Sequence, residues 1–185
     1  MSSVTSSSRS SGENPVGYET APEDYAGLYR TDVRTLMFNR ASSCFIRIPF
    51  VVTNPGAFTD WTLRLQADDG VVISLNGEEV LRYFAPDIVA WNTFATTNRV
   101  DSDVLPGAVF DLAEFENLIV PGTNILAIHA LNARLDSSDL LINPLLEAKS
   151  TAQIVLQMDT VGEIKKYLFE QMRELGMLEL LEMYH

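Results

Sequence analysis

The chain has 185 residues, of which 46% are hydrophobic and 9% aromatic, and it carries a formal net charge of −12 at neutral pH. That length and apolar content suit one domain with a sizeable core and exclude bulk disorder. The acidity argues against nucleic acid, whose phosphates call for a basic surface, and against an anionic membrane surface.

Residues 1–29 are rich in Ser, Gly, Pro and Glu with little apolar periodicity. They read as a flexible leader or linker, with Tyr18, Tyr25 and Tyr29 tacking its end onto the domain. No apolar core of a signal peptide follows Met1, and no apolar run is long enough to span a membrane.

From about residue 31 the texture changes to short apolar runs with turn punctuation. In 44–50, Cys44, Ile46, Ile48 and Phe50 alternate with Phe45, Arg47 and Pro49. In 61–66, Trp61, Leu63 and Leu65 alternate with Thr62, Arg64 and Gln66. Period two is the mark of a half-buried strand. Cys44, the single cysteine, excludes an internal disulfide and a cysteine-based zinc site, and reads as a small buried hydrophobe. Asp68-Asp69-Gly70 is a turn, and its plainest structural role is an Asx-turn closing a hairpin. Val71 to Leu75 is the next strand. Asn76-Gly77 suits a type I′ turn because both central residues need positive φ, and Glu78 to Tyr83 returns.

Residues 84–107 form a long loop, a length often tied to function. A short strand at 109–112, a helical or irregular turn through Phe115 and Leu118, and a turn at Pro121-Gly122 follow. Residues 124–131 read as a central strand and 140–147 as the last. Beyond 150 the pattern is helical. Thr160 and Glu163 match a capping box, and Ile164, Leu168, Met172, Leu175 and Leu178 recur three or four apart. The expectation is an amphipathic helix over about 160–183. It either packs on its own domain or pairs with a second chain.

Taken together, several segments resemble a galactose-binding-domain-like module. They are Phe45 to Phe50, Leu63 to Val80 with its Asp68-Asp69-Gly70 and Asn76-Gly77, Trp91-Asn92-Thr93, Pro121 to Asn132 and Ser138 to Leu146. Such modules occur in large secreted bacterial proteins of planctomycete type. The resemblance covers about 30–149 and includes neither the leader nor the tail. It implies a mainly β, jelly-roll sandwich over 30–149, a helical tail over 150–185, and a non-catalytic accessory role in an extracellular or cell-surface protein. Where the family has aromatic residues flanking the turn, this chain has Gln66-Ala67 and Val71-Val72.

The expected ligand is a glycan at the loop end. Trp91 would stack on a sugar face while Asn92 bonds hydroxyls, and Tyr83 with Phe84 would extend the platform. The plainer role for Trp91 is a plug at one end of the sandwich. Asp68 and Asp69 could accept from sugar hydroxyls or hold Ca²⁺, which takes six to eight oxygens. Asp101, Asp103, Asp136 and Asp139 could add oxygens. His129 lies mid-strand and reads as a half-buried histidine bonded to a neighbouring loop. No Gly-x-Ser-x-Gly elbow, His-Glu-x-x-His or phosphate loop is present, so a binding role is expected rather than catalysis. The other reading is a structural or assembly subunit that self-associates, or docks onto other protein domains, through its C-terminal helix.

Overall fold

The computed structural model describes residues 11–20 and 24–150. Nine strands are found among them: β1 Val16–Glu19, β2 Thr31–Asp32, β3 Ser43–Val52, β4 Phe58–Asp68, β5 Gly70–Leu75, β6 Glu78–Tyr83, β7 Ala108–Asp111, β8 Gly122–Leu131 and β9 Asp139–Ser150. They form a five-stranded sheet in the order β2-β1-β9-β4-β7 and a four-stranded sheet in the order β3-β8-β5-β6. All pairings are antiparallel except β1 with β2. Two helices, α1 Arg34–Met37 and α2 Asp101–Val104, are single turns. The expected mainly β sandwich is what the chain forms. The expected tail helix, with Ile164, Leu168, Met172, Leu175 and Leu178, lies outside the described residues.

The alternation read in the sequence decides which faces meet. Along β4, Trp61, Leu63, Leu65 and Ala67 point inward and are buried, while Thr62, Arg64 and Gln66 face outward. Arg64 pairs with Glu147 of β9 across that outer face at 3.7 Å. From the other sheet come Val71, Ile73 and Leu75 of β5 and Leu126, Ile128 and Ala130 of β8. Each large aliphatic side chain so buried contributes roughly 1.5–3 kcal/mol relative to exposure. β8 and β9 are interior strands of their sheets, as their apolar runs require. The Asn76-Gly77 turn has positive φ at both residues, 51° and 99°, and joins β5 to β6 as a two-residue hairpin. Cys44 packs against the core, and burial pushes its thiol up to about 12.

Two expectations are corrected. Residues 1–29 are not a leader throughout, because Val16–Glu19 is β1, hydrogen-bonded to β9. All four of its residues are buried. Tyr18 and Tyr25 are fully buried, so the tyrosines do hold this segment to the domain. The second correction concerns Asp68-Asp69-Gly70. It closes no hairpin, because β4 before it and β5 after it belong to opposite sheets. The turn carries the chain across one end of the sandwich.

That end gathers the functional candidates. The C-terminal ends of β4, β6 and β8 and the N-terminal ends of β3, β5, β7 and β9 all open there. The loops 84–107 and 132–138 close over it. At the opposite end an apolar cleft of about 550 Å³ opens between the sheets, lined by Phe50, Val52, Phe58, Trp61, Leu126 and Leu146 among others.

Candidate functional site

The two adjacent carboxylates have opposite duties. Asp69 is 2% exposed and faces the loops. Its Oδ1 accepts from the Arg99 backbone N–H at 2.8 Å. Its Oδ2 accepts from the Ala133 N–H at 2.7 Å. One side chain thus ties 84–107 to 132–138, and both of its oxygens are committed to backbone donors. Asp69 is not one of the three acids whose oxygens gather beside it.

Asp68 is joined to Asp69 by a cis peptide bond. It lies with Asp101 of α2 and Asp139 at the start of β9, each offering a carboxylate oxygen within 4.8 Å of the others. Asp68 is 2% exposed and its Oδ1 has no hydrogen-bond partner. Burial, with Asp69 and Asp139 alongside, pushes Asp68 up to about 10. Burial also raises Asp139, against hydrogen bonding to Asp68 and Ser138. The Tyr25 hydroxyl donates to Asp101 Oδ1 at 3.0 Å. The group does not include Asp103 or Asp136, and Asp136 pairs with Arg134 at 3.4 Å.

Arg99 is a positioning residue that the sequence did not reveal. Its guanidinium donates to the carbonyls of Ala67 at 2.6 Å and Asp103 at 2.9 Å. It also lies over the rings of Tyr83 and Phe84, 5.2 and 5.1 Å from their centroids. Such contacts favour a cation on an aromatic face. Tyr83 packs on Phe84 at 4.3 Å and edge-on to Phe110 at 5.1 Å. The ring is half-buried, and Phe84 beside it is exposed.

Trp91 is different. It is 70% exposed, so it does not plug the sandwich. Trp91 and Asn92, also exposed, form the tip of a turn closed twice. Thr93 N–H donates to the Ala90 carbonyl at 3.1 Å, and Ala90 N–H donates to Thr93 Oγ1 at 2.7 Å. Ser43 Oγ donates to the Trp91 carbonyl. Ala95 N–H reaches the Asn132 carbonyl and Thr96 N–H the Phe84 carbonyl, both at 2.9 Å. The loop lies so close to β5 that a Cβ on Gly70 would sit 2.4 Å from the Phe84 carbonyl oxygen. Only glycine admits that approach. Ile88 and Phe94 stand exposed beside the turn.

His129 is 7% exposed and its Nε2 has no partner. Phe45 stacks on it at 4.2 Å with the rings 16° apart. Stacking, rather than the expected hydrogen bond from that nitrogen to a loop, holds the ring. Buried polar groups also brace the loop floor. The Tyr18 hydroxyl donates to the Ser137 carbonyl and accepts from Asn132 Nδ2, both at 2.9 Å.

Among the described residues no helix is long and apolar enough to cross a membrane. No family model and no curated protein matches the chain. Among solved structures, an α-L-rhamnosidase of Streptomyces avermitilis, complexed with L-rhamnose, is similar over 60% of this chain at 22% identity, with a TM-score of 0.42. The chain spans about 9% of that protein's length.

Proposed function

We propose that this chain is a non-catalytic binding module that takes a glycan at the loop end of its sandwich. The observation that carries the reading is Trp91, a large apolar ring exposed at the tip of a turn whose backbone is pinned to the scaffold. An exposed indole presents a flat face for the C–H groups of a sugar ring, and Asn92 beside it offers amide donors and an acceptor for hydroxyls. Because the turn is already fixed, little ordering entropy opposes binding. The resemblance of 30–149 to galactose-binding-domain-like modules points the same way and implies service in a larger extracellular or cell-surface protein. Phe94 and Ile88 extend the apolar surface beside the turn.

The test is a glycan array and a panel of insoluble polysaccharides, with the full chain and with Trp91→Ala. The reading expects at least one glycan class retained by the wild type and lost by the variant. Absence of retention across the panel, with and without calcium, would overturn it.

A further inference from the structure

We infer that Asp68, Asp101 and Asp139 form a binding site for a divalent cation, with Ca²⁺ the best fit. The three residues arrive from the end of β4, from α2 and from the start of β9. Their oxygens lie within 4.8 Å of one another. Two oxygens bound to one Ca²⁺ at 2.3–2.6 Å are at most about 5.2 Å apart, so one ion spans the group. Mg²⁺, with bonds of 2.0–2.1 Å, spans at most about 4.2 Å and demands stricter geometry.

A cluster of acids alone would be a solvated patch. Here a second observation sets it apart. Asp68 is almost wholly buried, its carboxylate belongs to the group, and its Oδ1 has no hydrogen-bond partner. A buried carboxylate oxygen left bare is costly unless something positive meets it. No side chain does so. Among the described residues the ion pairs are Arg64–Glu147, Arg82–Glu79, Arg134–Asp136 and Lys149–Asp60, and none involves the three acids. Arg99, the nearby guanidinium, donates to the carbonyls of Ala67 and Asp103. Hard oxygen donors with net negative charge suit Ca²⁺, and the Tyr25 hydroxyl fixes the orientation of Asp101. A bound ion would join the end of β4, the loop holding α2 and the start of β9.

The experiment is calcium titration calorimetry on the full chain in physiological salt without any glycan, paired with terbium luminescence sensitised through Tyr25. The expected result is one saturable site and a raised melting temperature. Asp101→Asn and Asp139→Asn should each weaken binding by about tenfold or more, since charge count tunes calcium affinity. Asp136→Asn, an exposed acid outside the group, should leave it unchanged. Asp101 and Asp139 are both only partly buried, so either variant tests the site should the other misfold. No saturable binding at millimolar calcium, or equal binding by wild type and Asp101→Asn, overturns the inference. Glycan retention plays no part in this readout, so the two proposals fail separately.

Discussion

Replacing Asp69 with Ala tests whether one side chain latches the binding loop to the sandwich. The variant removes two charge-assisted acceptors at once, from Arg99 N–H at 2.8 Å and Ala133 N–H at 2.7 Å. Hydrogen bonds to charged groups are worth about 1.5–3 kcal/mol each, but both donors are only partly buried and water recovers some of that loss. A net cost of about 2–4 kcal/mol follows. For a chain of this size that corresponds to a fall of roughly 5–15 °C in melting temperature. Asp69→Asn keeps one acceptor but turns an amide donor toward the other N–H, so it falls between wild type and Ala. Denaturant unfolding in a chelator gives the free energy without any contribution from a bound cation. Hydrogen exchange gives the location, because the Arg99 and Ala133 amides should lose protection first. A loss under about 0.5 kcal/mol, the size of an ordinary surface change, would refute the latch.

The buried Tyr18 hydroxyl offers a second test. Tyr18→Phe strands the Asn132 amide and the Ser137 carbonyl, and thermal unfolding should show a loss of about 1–3 kcal/mol; an unchanged midpoint would contradict it. His129 gives a pH prediction. Burial lowers its folded-state pKa below the ordinary 6.5. The folded chain then binds fewer protons than the unfolded one in mild acid, so the stability present above about pH 6.5 is lost as pH falls through the folded value. His129→Phe keeps a ring for Phe45 to stack on and removes the titration. Wild type should therefore lose stability relative to this variant between roughly pH 7 and pH 5, and parallel curves would show that the histidine is not linked to folding. Gly70→Ala drives a methyl toward the Phe84 carbonyl. It should cost about 1–3 kcal/mol by the overpacking rule and displace the Trp91 loop, seen as reduced glycan retention.

The sandwich from β3 to β9 was legible because period-two patterns and the Asn76-Gly77 turn are local signals. β1 was not. Its Val16 and Tyr18 are buried, but four residues in a Ser- and Glu-rich setting carry too short a pattern to stand out. Asp68-Asp69-Gly70 announced a turn, yet nothing local says whether the next strand returns beside β4 or crosses to the other sheet. That choice is made by where Val71 and Ile73 find core to bury them. Asp68 and Asp69 stood out as an adjacent pair, yet the acids that gather with Asp68 are Asp101 and Asp139. Asp101 and Asp139 were visible as loop acids, and only the closed fold sets them beside Asp68. Arg99 left no signal, because its partners are backbone carbonyls and ring faces.

Glycan retention by wild type against Trp91→Ala is the most direct measurement, by affinity electrophoresis through gels holding the polysaccharide that scores best in the array. Trp91 is 70% exposed and outside the core, so the variant should keep the wild-type circular dichroism and melting temperature. The account predicts that the wild type is retarded and the variant runs as in an empty gel. Equal retardation of the two would contradict it.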